Sequence, residues 1–171
     1  YPCRQSKESI DELIHTHQIK HSFTLQQSKT AIDSGVFHND VISFGFKDRL
    51  FCHQQAFEDQ ANQLNQLKRY YQDLYQHRLT IIEINSISLD EAVDTYLFNS
   101  QVIIHGNHHI LICPSAVKEN QKTQALVTQW QEHGYFDSIM FVPLQHSLMN
   151  GGGPACMRLT LILNEFEINQ I

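Results

Sequence analysis

The sequence predicts an α/β fold built from a repeated strand–strand–helix–strand unit. Short apolar runs typical of strands alternate with longer segments whose apolar residues recur every three or four positions. The run VISFGFKDRLFC at 41–52 matches VIIHGNHHILIC at 102–113, 61 residues later, at five of twelve positions. Both runs continue into a helical pattern and a third strand. We therefore predict two copies, at 38–85 and 99–144, in a radial array where neighbours complete each other's core.

Local signals define the elements before and within the first copy. The predicted elements are a helix at 6–18, strands at 41–46 and 50–52, a helix at 56–75 and a strand at 79–84. Ser6 can cap the first helix, and Lys47-Asp48 between the two strands is typical of a hairpin turn. Leu64 and Leu67 belong to the helical pattern at 56–75.

The second copy follows the same order. Ser88 and Glu91 predict a capping box that opens a short helix ending at 98. Strands are then predicted from 102 and at 108–113, followed by a helix at 115–133 and a strand at 138–144. Cys52 and Cys113 fall at matching positions of the repeat, which predicts that both are packing residues. Cys156 has no such counterpart.

The composition indicates one soluble globular domain and excludes several classes of function. The chain has 171 residues, 42% of them hydrophobic, and a formal net charge of −6 without a basic stripe, which argues against a nucleic-acid partner. No apolar run approaches the length that spans a membrane. The four cysteines form no C-x-x-C pair, which indicates reduced thiols and a cytoplasmic location. The eleven histidines lack the companion ligands of a structural zinc site, so no metal is expected.

The first residues read as the interior of a protein. Tyr1 is not an initiator Met, and residues 1–4 resemble mid-chain sequence. We therefore expect residues 1–171 to form a single partial domain of something longer.

A loop at 149–157 delivers Cys156 through Gly-Gly-Gly-Pro-Ala. Glycine tolerates backbone angles that other residues avoid, and proline then fixes φ. One interpretation is that the loop presents a reactive thiol at the mouth of a strand. The alternative is that the glycines turn a corner and Cys156 begins a buried strand as a small core residue.

His38 and Asp40 are the residues that could serve such a thiol. They stand two apart where a strand is predicted to begin, so in extended chain they would point to the same side. A histidine can carry protons near neutral pH and stabilise a thiolate, and a carboxylate can bind a cation. Asp40 has a competing structural role, because with Asn39 it could simply turn the chain into the strand.

Several longer motifs, in the same order along nearly the whole chain, resemble the N-succinylarginine dihydrolases. The motifs are YPCRQ at 1–5, GVFHNDV at 35–41, LFCHQQAF at 50–57, YLFNSQ at 96–101 and NGGGPACMRL at 150–159. The resemblance implies the pentein fold, a pseudo-fivefold ring of strand–strand–helix–strand units, of which about two to three would be present. It also implies hydrolysis of N2-succinylarginine to N2-succinylornithine, two ammonia molecules and carbon dioxide, without metal or cofactor.

The resemblance implies specific roles. Cys156 matches the family's nucleophile and His38 its catalytic histidine, whereas Arg4, Asp40 and Asn150 match positions that bind substrate. The mechanism implied is attack of the thiolate on the guanidinium carbon through a covalent thiouronium intermediate. The expected partner is the small-molecule substrate, and a homodimer is expected only of the full-length parent.

One expected part of the site is missing from this chain. The family triad includes a glutamate that would lie upstream of residue 1, and nothing here matches it. Glu83, in the middle of a predicted strand, is not its replacement. We therefore expect two of three catalytic residues and no activity from the chain alone.

Two other functions stay open at this point. A pentein enzyme could instead act on free arginine, agmatine or a methylated arginine. A non-catalytic pentein could serve as a binding module, in which case Cys156 would be unreactive.

Overall fold

Two three-stranded sheets organise the chain in the computed structural model, which describes residues 5–159 and 162–170. The first sheet contains β1 (Ser43–Phe46), β2 (Arg49–His53) and β3 (Thr80–Ile84); the second contains β4 (Gln101–His105), β5 (His108–Pro114) and β6 (Ser138–Val142). In each sheet the first two strands are antiparallel, and the third lies parallel to the second. The predicted α/β class with strand–strand–helix–strand units is confirmed.

Helices connect and cover these strands. They are α1 (Lys7–Thr16), α2 (Lys29–Asp33), α3 (Gln60–Tyr75), α4 (Leu89–Thr95), α5 (Ser115–Glu119), α6 (Gln121–Glu132), α7 (Gln145–Leu148), α8 (Pro154–Met157) and α9 (Glu165–Ile168), with 3₁₀ turns at Asn39–Val41 and Leu97–Asn99. Ser6 caps α1, and Ser88 with Glu91 forms the capping box of α4, both as predicted. Among the described residues, none of these helices is long and apolar enough to cross a membrane.

The single helix predicted at 115–133 is two helices. Asn120 is extended, with φ −90° and ψ 121°, and its side chain accepts hydrogen bonds from the backbone N–H groups of Lys122 and Thr123. Asparagine favours this capping arrangement over a helix interior, because its carboxamide competes for backbone donors. The chain therefore ends α5 and starts α6 at one residue.

The repeat holds at the cysteines but not at the hairpins. Cys52 and Cys113 are both fully buried next to the last residue of their strands. The hairpin turns, however, are at 47–48 and 106–107, an offset of 59 rather than 61. Gly45 therefore lies within β1 while Gly106 lies in a turn with φ of +59°, so these two matched glycines are not equivalent.

The first sheet is covered on both faces. On one face Cys52 lies in a cluster with Leu64 of α3, the helix of its own unit. On the other face Phe51 packs against Trp130 of α6, with ring centroids 5.0 Å apart. Helix α6 belongs to the second unit, so each sheet face has a different helix as its cover.

The second sheet is covered on one face in the described chain. Leu111 and Cys113 share a cluster with Val127 and Trp130 of α6. The opposite face, which we call the open face, carries Ile103, Ile110, Ile112 and Met140, because paired residues lie on the same side of a sheet. Ile103 is 44% exposed and Met140 51% exposed.

Candidate active site

Asp40 lies in a 3₁₀ turn, not in a strand, and His38 directly precedes that turn. His38 is extended and precedes the turn Asn39–Val41, which leads into β1. The predicted strand start at 41 is therefore wrong, because the Asp40 backbone N–H bonds back to His38 Nδ1 at 3.1 Å and curls the chain. The Asp40 carboxylate is still close, with Oδ2 3.7 Å from His38 Nδ1.

These contacts decide which nitrogen of the His38 ring can carry a proton. Nδ1 accepts the Asp40 backbone N–H, so in the neutral ring the proton is on Nε2. In this arrangement Nε2 is the ring nitrogen left to donate a hydrogen bond.

Cys156 lies on the short helix α8 instead of on the predicted strand. Pro154 occupies the first helical position after Gly153, where its missing N–H costs no hydrogen bond and its fixed φ suits a helix. The backbone N–H groups of Cys156 and Met157 both donate to the Gly153 carbonyl at 3.1 Å. Cys156 is a free, exposed cysteine, so the alternative of a buried strand residue is also wrong.

Two of the three glycines are required by geometry. Gly151 has φ of +79°, and a Cβ there would stand 3.1 Å from the Phe37 ring. A Cβ on Gly153 would overlap Asn99 Oδ1. The glycine run therefore lets the loop approach two other segments closely on its way to Cys156.

The 3₁₀ turn Leu97–Asn99 lies between the predicted site residues. It packs against the turn Asn39–Val41 on one side and against α8 on the other. Its Asn99 is 1% exposed, and Asn99 Nδ2 donates to Cys156 Sγ at 3.2 Å. Sequence reasoning missed Asn99. The available signal was a polar residue directly after the apolar Phe98, inside the YLFNSQ motif.

Two aromatic side chains, Tyr96 and Phe37, lie near the predicted site residues. Burial first, and the charge of Cys156 second, raise the pKa of Tyr96. The Phe37 ring lies 6.5 Å from the Tyr96 ring and 6.5 Å from the His38 ring. Tyr96 is buried, whereas Phe37 is 37% exposed.

A cavity of about 280 Å³ lies beside the site, although neither His38 nor Cys156 is among its lining residues. Asp40 lines it from the first turn, and Ala155 and Arg158 line it from either side of Cys156 in the sequence. Gln101 also lines it and accepts a hydrogen bond from Arg158 Nη1 at 2.9 Å. The cavity therefore offers a carboxylate and a guanidinium to one bound molecule.

The other predicted binding residues are less engaged. Asn150 is exposed, and its side chain donates to the His146 carbonyl at 2.8 Å, back toward α7. Arg4 lies outside the described residues. Glu83, which we did not assign to the site, accepts a hydrogen bond from Gln60 of α3 at 2.6 Å. No group of three or more metal-ligating side chains occurs in residues 5–159 and 162–170.

The three described cysteines differ sharply in environment. Burial raises the pKa of Cys52 to about 12 and that of Cys113 to about 12. Such thiols are protonated and inert at neutral pH. Cys156 is exposed and accepts a hydrogen bond, so it is the described thiol that can react.

A family model described as succinylarginine dihydrolase matches residues 1–171. The chain belongs to the succinylarginine dihydrolase family. Its similarity to curated proteins extends over the same length. It is 41% identical to an N-succinylarginine dihydrolase of Aliivibrio salmonicida over 98% of this chain and 38% of that protein.

Two further curated N-succinylarginine dihydrolases show the same pattern. The Legionella pneumophila protein is 39% identical over 98% of this chain and 38% of its own length, and the Serratia proteamaculans protein is 37% identical over 100% and 40%. This chain of the succinylarginine dihydrolase family thus spans about two fifths of the length of the curated relatives it matches.

Proposed function

We propose that this chain supplies the nucleophile, the catalytic histidine and the substrate-binding carboxylate of an N-succinylarginine dihydrolase. The reaction converts N2-succinyl-L-arginine and water to N2-succinyl-L-ornithine, two ammonia molecules and carbon dioxide, a step of arginine catabolism. The observation that carries the proposal is a single cavity lined by Asp40, two residues after His38, and by Ala155 and Arg158, which flank Cys156 in the sequence. The names of the matching relatives support the same substrate.

Substrate binding follows from the charges in the cavity. The Asp40 carboxylate can accept two N–H groups of the substrate guanidinium in a charge-assisted contact. Arg158 carries the opposite charge and suits a carboxylate of the succinyl or amino-acid part. Arg4 and Asn150 remain predicted substrate contacts. A molecule with a cation at one end and carboxylates at the other matches this pattern.

The first half of the reaction replaces one nitrogen by oxygen. The Cys156 thiolate bonds to the guanidinium carbon, and the C–N bond to a terminal nitrogen breaks after that nitrogen takes a proton from His38 Nε2. Ammonia leaves a thiouronium on Cys156. Water, deprotonated by His38, adds to the same carbon, and the thiolate departs to leave a ureido group.

The second half repeats the chemistry on the ureido carbon. Thiolate attack expels the second ammonia and leaves a thiocarbamate on Cys156. A second water releases a carbamate, which loses carbon dioxide to give the amine of succinylornithine. Two waters enter and two ammonia molecules leave, so the atoms balance without a redox step.

The remaining part of the site lies in the length that this chain does not span. We expect the third catalytic acid there, and we expect no turnover by the 171 residues alone. The reduced, free cysteines favour the cytoplasm as the location. A homodimer of a full-length protein stays a prediction.

A chimera tests the proposed function. The matching segment of the Aliivibrio salmonicida protein is replaced by this chain, and ammonia release from N2-succinylarginine is measured beside Cys156→Ser and His38→Ala. We expect activity in the chimera and a loss of about 10³-fold or more in each variant. Full activity of Cys156→Ser would contradict the assignment of the nucleophile.

The same assay separates the alternatives. Arginine, agmatine and methylated arginine are tested as substrates in parallel, and turnover of one of these without turnover of succinylarginine would overturn the substrate. Labelling of Cys156 by a haloacetamidine in the chain itself tests the chemistry without turnover. An inert Cys156 would favour a non-catalytic binding module.

A further inference from the structure

Asn99 is a buried carboxamide with one good hydrogen bond, and that bond goes to the thiol. The residue is 1% exposed, and Nδ2 donates to Cys156 Sγ at 3.2 Å. Burying an amide is unfavourable unless its groups are bonded. A side chain placed here for packing alone would be served better by an apolar residue.

The other end of the carboxamide makes the placement more specific. Asn99 Oδ1 is buried without a hydrogen-bond partner among the described residues. It occupies the space where a Cβ of Gly153 would stand. The loop therefore keeps a glycine at 153 so that an incompletely bonded amide can reach beneath the nucleophile helix.

We infer that Asn99 is a positioning residue for Cys156, holding Sγ through its Nδ2–H and favouring the thiolate. The inference deepens the proposed function and rests on it for its catalytic meaning. A donor aimed at sulfur favours the charged form over the neutral thiol. Because Asn99 belongs to a buried turn, the donor is fixed before substrate arrives, so little reorganisation is needed during the reaction.

Tyr96 and Arg158 are two other polar residues near the thiol, and neither is the donor to Cys156 Sγ described above. Burial first, and the charge of Cys156 second, raise the pKa of Tyr96, so Tyr96 is a neutral phenol at neutral pH. Arg158, two residues along the chain, donates to Gln101. The Leu97–Asn99 turn that packs against α8 carries no other polar side chain.

Alkylation of Cys156 as a function of pH tests the inference directly. The 171-residue chain, Asn99→Asp and Asn99→Ser are treated with iodoacetamide, and modification of Cys156 is followed by mass spectrometry. Asn99→Asp replaces a donor by a carboxylate at nearly constant volume. We expect its alkylation midpoint to rise by about one pH unit or more, with a smaller rise for Asn99→Ser.

Two further variants keep the test decisive if an Asn99 variant fails to fold. Gly153→Ala leaves Asn99 chemically intact but displaces its carboxamide, so the midpoint is expected to rise here too. Asn107→Asp, in the exposed hairpin turn, adds the same charge away from the thiol and is expected to leave the midpoint unchanged. Circular dichroism shows which variants are folded. A folded Asn99→Asp with the parent's midpoint would overturn the inference.

The chimera adds a readout that separates the two claims. Asn99→Asp there is expected to lower kcat about 10²-fold with little change in KM, and to move the acid limb of the pH–rate profile upward. If the chimera is active and Asn99→Asp behaves like the parent, the positioning role is wrong and the proposed function stands. If the chimera is inactive while Asn99→Asp still shifts the alkylation midpoint, the proposed function fails and the positioning of the thiol stands.

Discussion

In the first sheet Phe51 is fully buried under Trp130 of the second unit, whereas Ile112, at the matching place in the second sheet, is only half-buried. Each of these residues directly precedes a fully buried cysteine, Cys52 or Cys113. The two units are therefore alike on the face that their own helix covers. They differ on the face that a neighbour has to cover.

The difference shows how a repeated unit of this kind obtains its core. Helix α6 packs on its own sheet at Leu111 and on the neighbouring sheet at Phe51. The face of the first sheet under α6 carries the aromatic side chains Phe44 and Phe51, whereas the open face of the second sheet carries aliphatic ones such as Ile103 and Met140. A unit is stable to the extent that the next unit supplies a helix.

The largest expected effect tests whether the covered face of the first sheet is packed more tightly than the open face of the second, at the matching positions Phe51 and Ile112. Phe51→Ala removes a buried ring from the interface between the units and is expected to destabilise the chain by about 3–5 kcal/mol. Ile112→Ala on the open face is expected to cost about 1 kcal/mol, since little of its contact is lost. Urea denaturation measures both. Equal losses would mean that the open face is as well packed as the covered one.

Cys52 and Cys113 test whether the two sheet faces that are covered by their own helices are equally well buried. Burial raises the pKa of both Cys52 and Cys113 to about 12, so at neutral pH each holds about 10³-fold less thiolate than an ordinary cysteine. Their neutral forms favour the folded state below about pH 9, and this contribution is lost as the pH rises toward 12. We expect alkylation of Cys156 in the native chain, and alkylation of Cys52 and Cys113 only in urea. Faster labelling of Cys113 than of Cys52 would show that the open sheet is also loose on its covered face.

A smaller effect concerns the link between the units. The Ser88 backbone N–H first, and Lys122 of α6 next, lower the pKa of Glu91. The resulting stabilisation is present above the ordinary carboxyl range and lost as the pH falls through the lowered value. Glu91→Gln is expected to cost about 0.5–1 kcal/mol at neutral pH and nothing once the pH has fallen below the lowered pKa of Glu91. Thermal unfolding across this range measures the gap, and a pH-independent gap would contradict the assignment.

Much of the fold was predictable because it rests on local patterns. Helix and strand periodicity, the Lys47-Asp48 turn and the Ser88 capping box are all signals within a few residues, and each was confirmed. The break at Asn120 and the two-residue shift of the second hairpin were missed. In both cases a single side chain or turn overrides the structure that the longer apolar pattern predicts, and the pattern itself gives no sign of this.

The site was harder to predict for the same reason in reverse. The residue types at His38, Asp40 and Cys156 were visible, and His38 is extended as expected, but Asp40 lies in a 3₁₀ turn and Cys156 in a short helix where extended chain was predicted. Asn99 escaped notice because its importance comes from a contact 57 residues away in the chain. The spacing of residues in the sequence cannot predict a contact between residues so far apart in the chain.

The three residues of the turn Leu97–Asn99 have two different roles, packing in the core and contact with the thiol. Leu97 and Phe98 are completely buried in the core of the two units, and Asn99 touches the thiol. A change in side-chain volume at Leu97 or Phe98 would therefore shift the backbone of Asn99, one or two residues along, and with it the hydrogen bond to Cys156 Sγ. Substitutions at Leu97 or Phe98 are therefore expected to change the reaction rate as well as the stability. A screen for thermostable variants that samples these two positions would select folded chains that react more slowly.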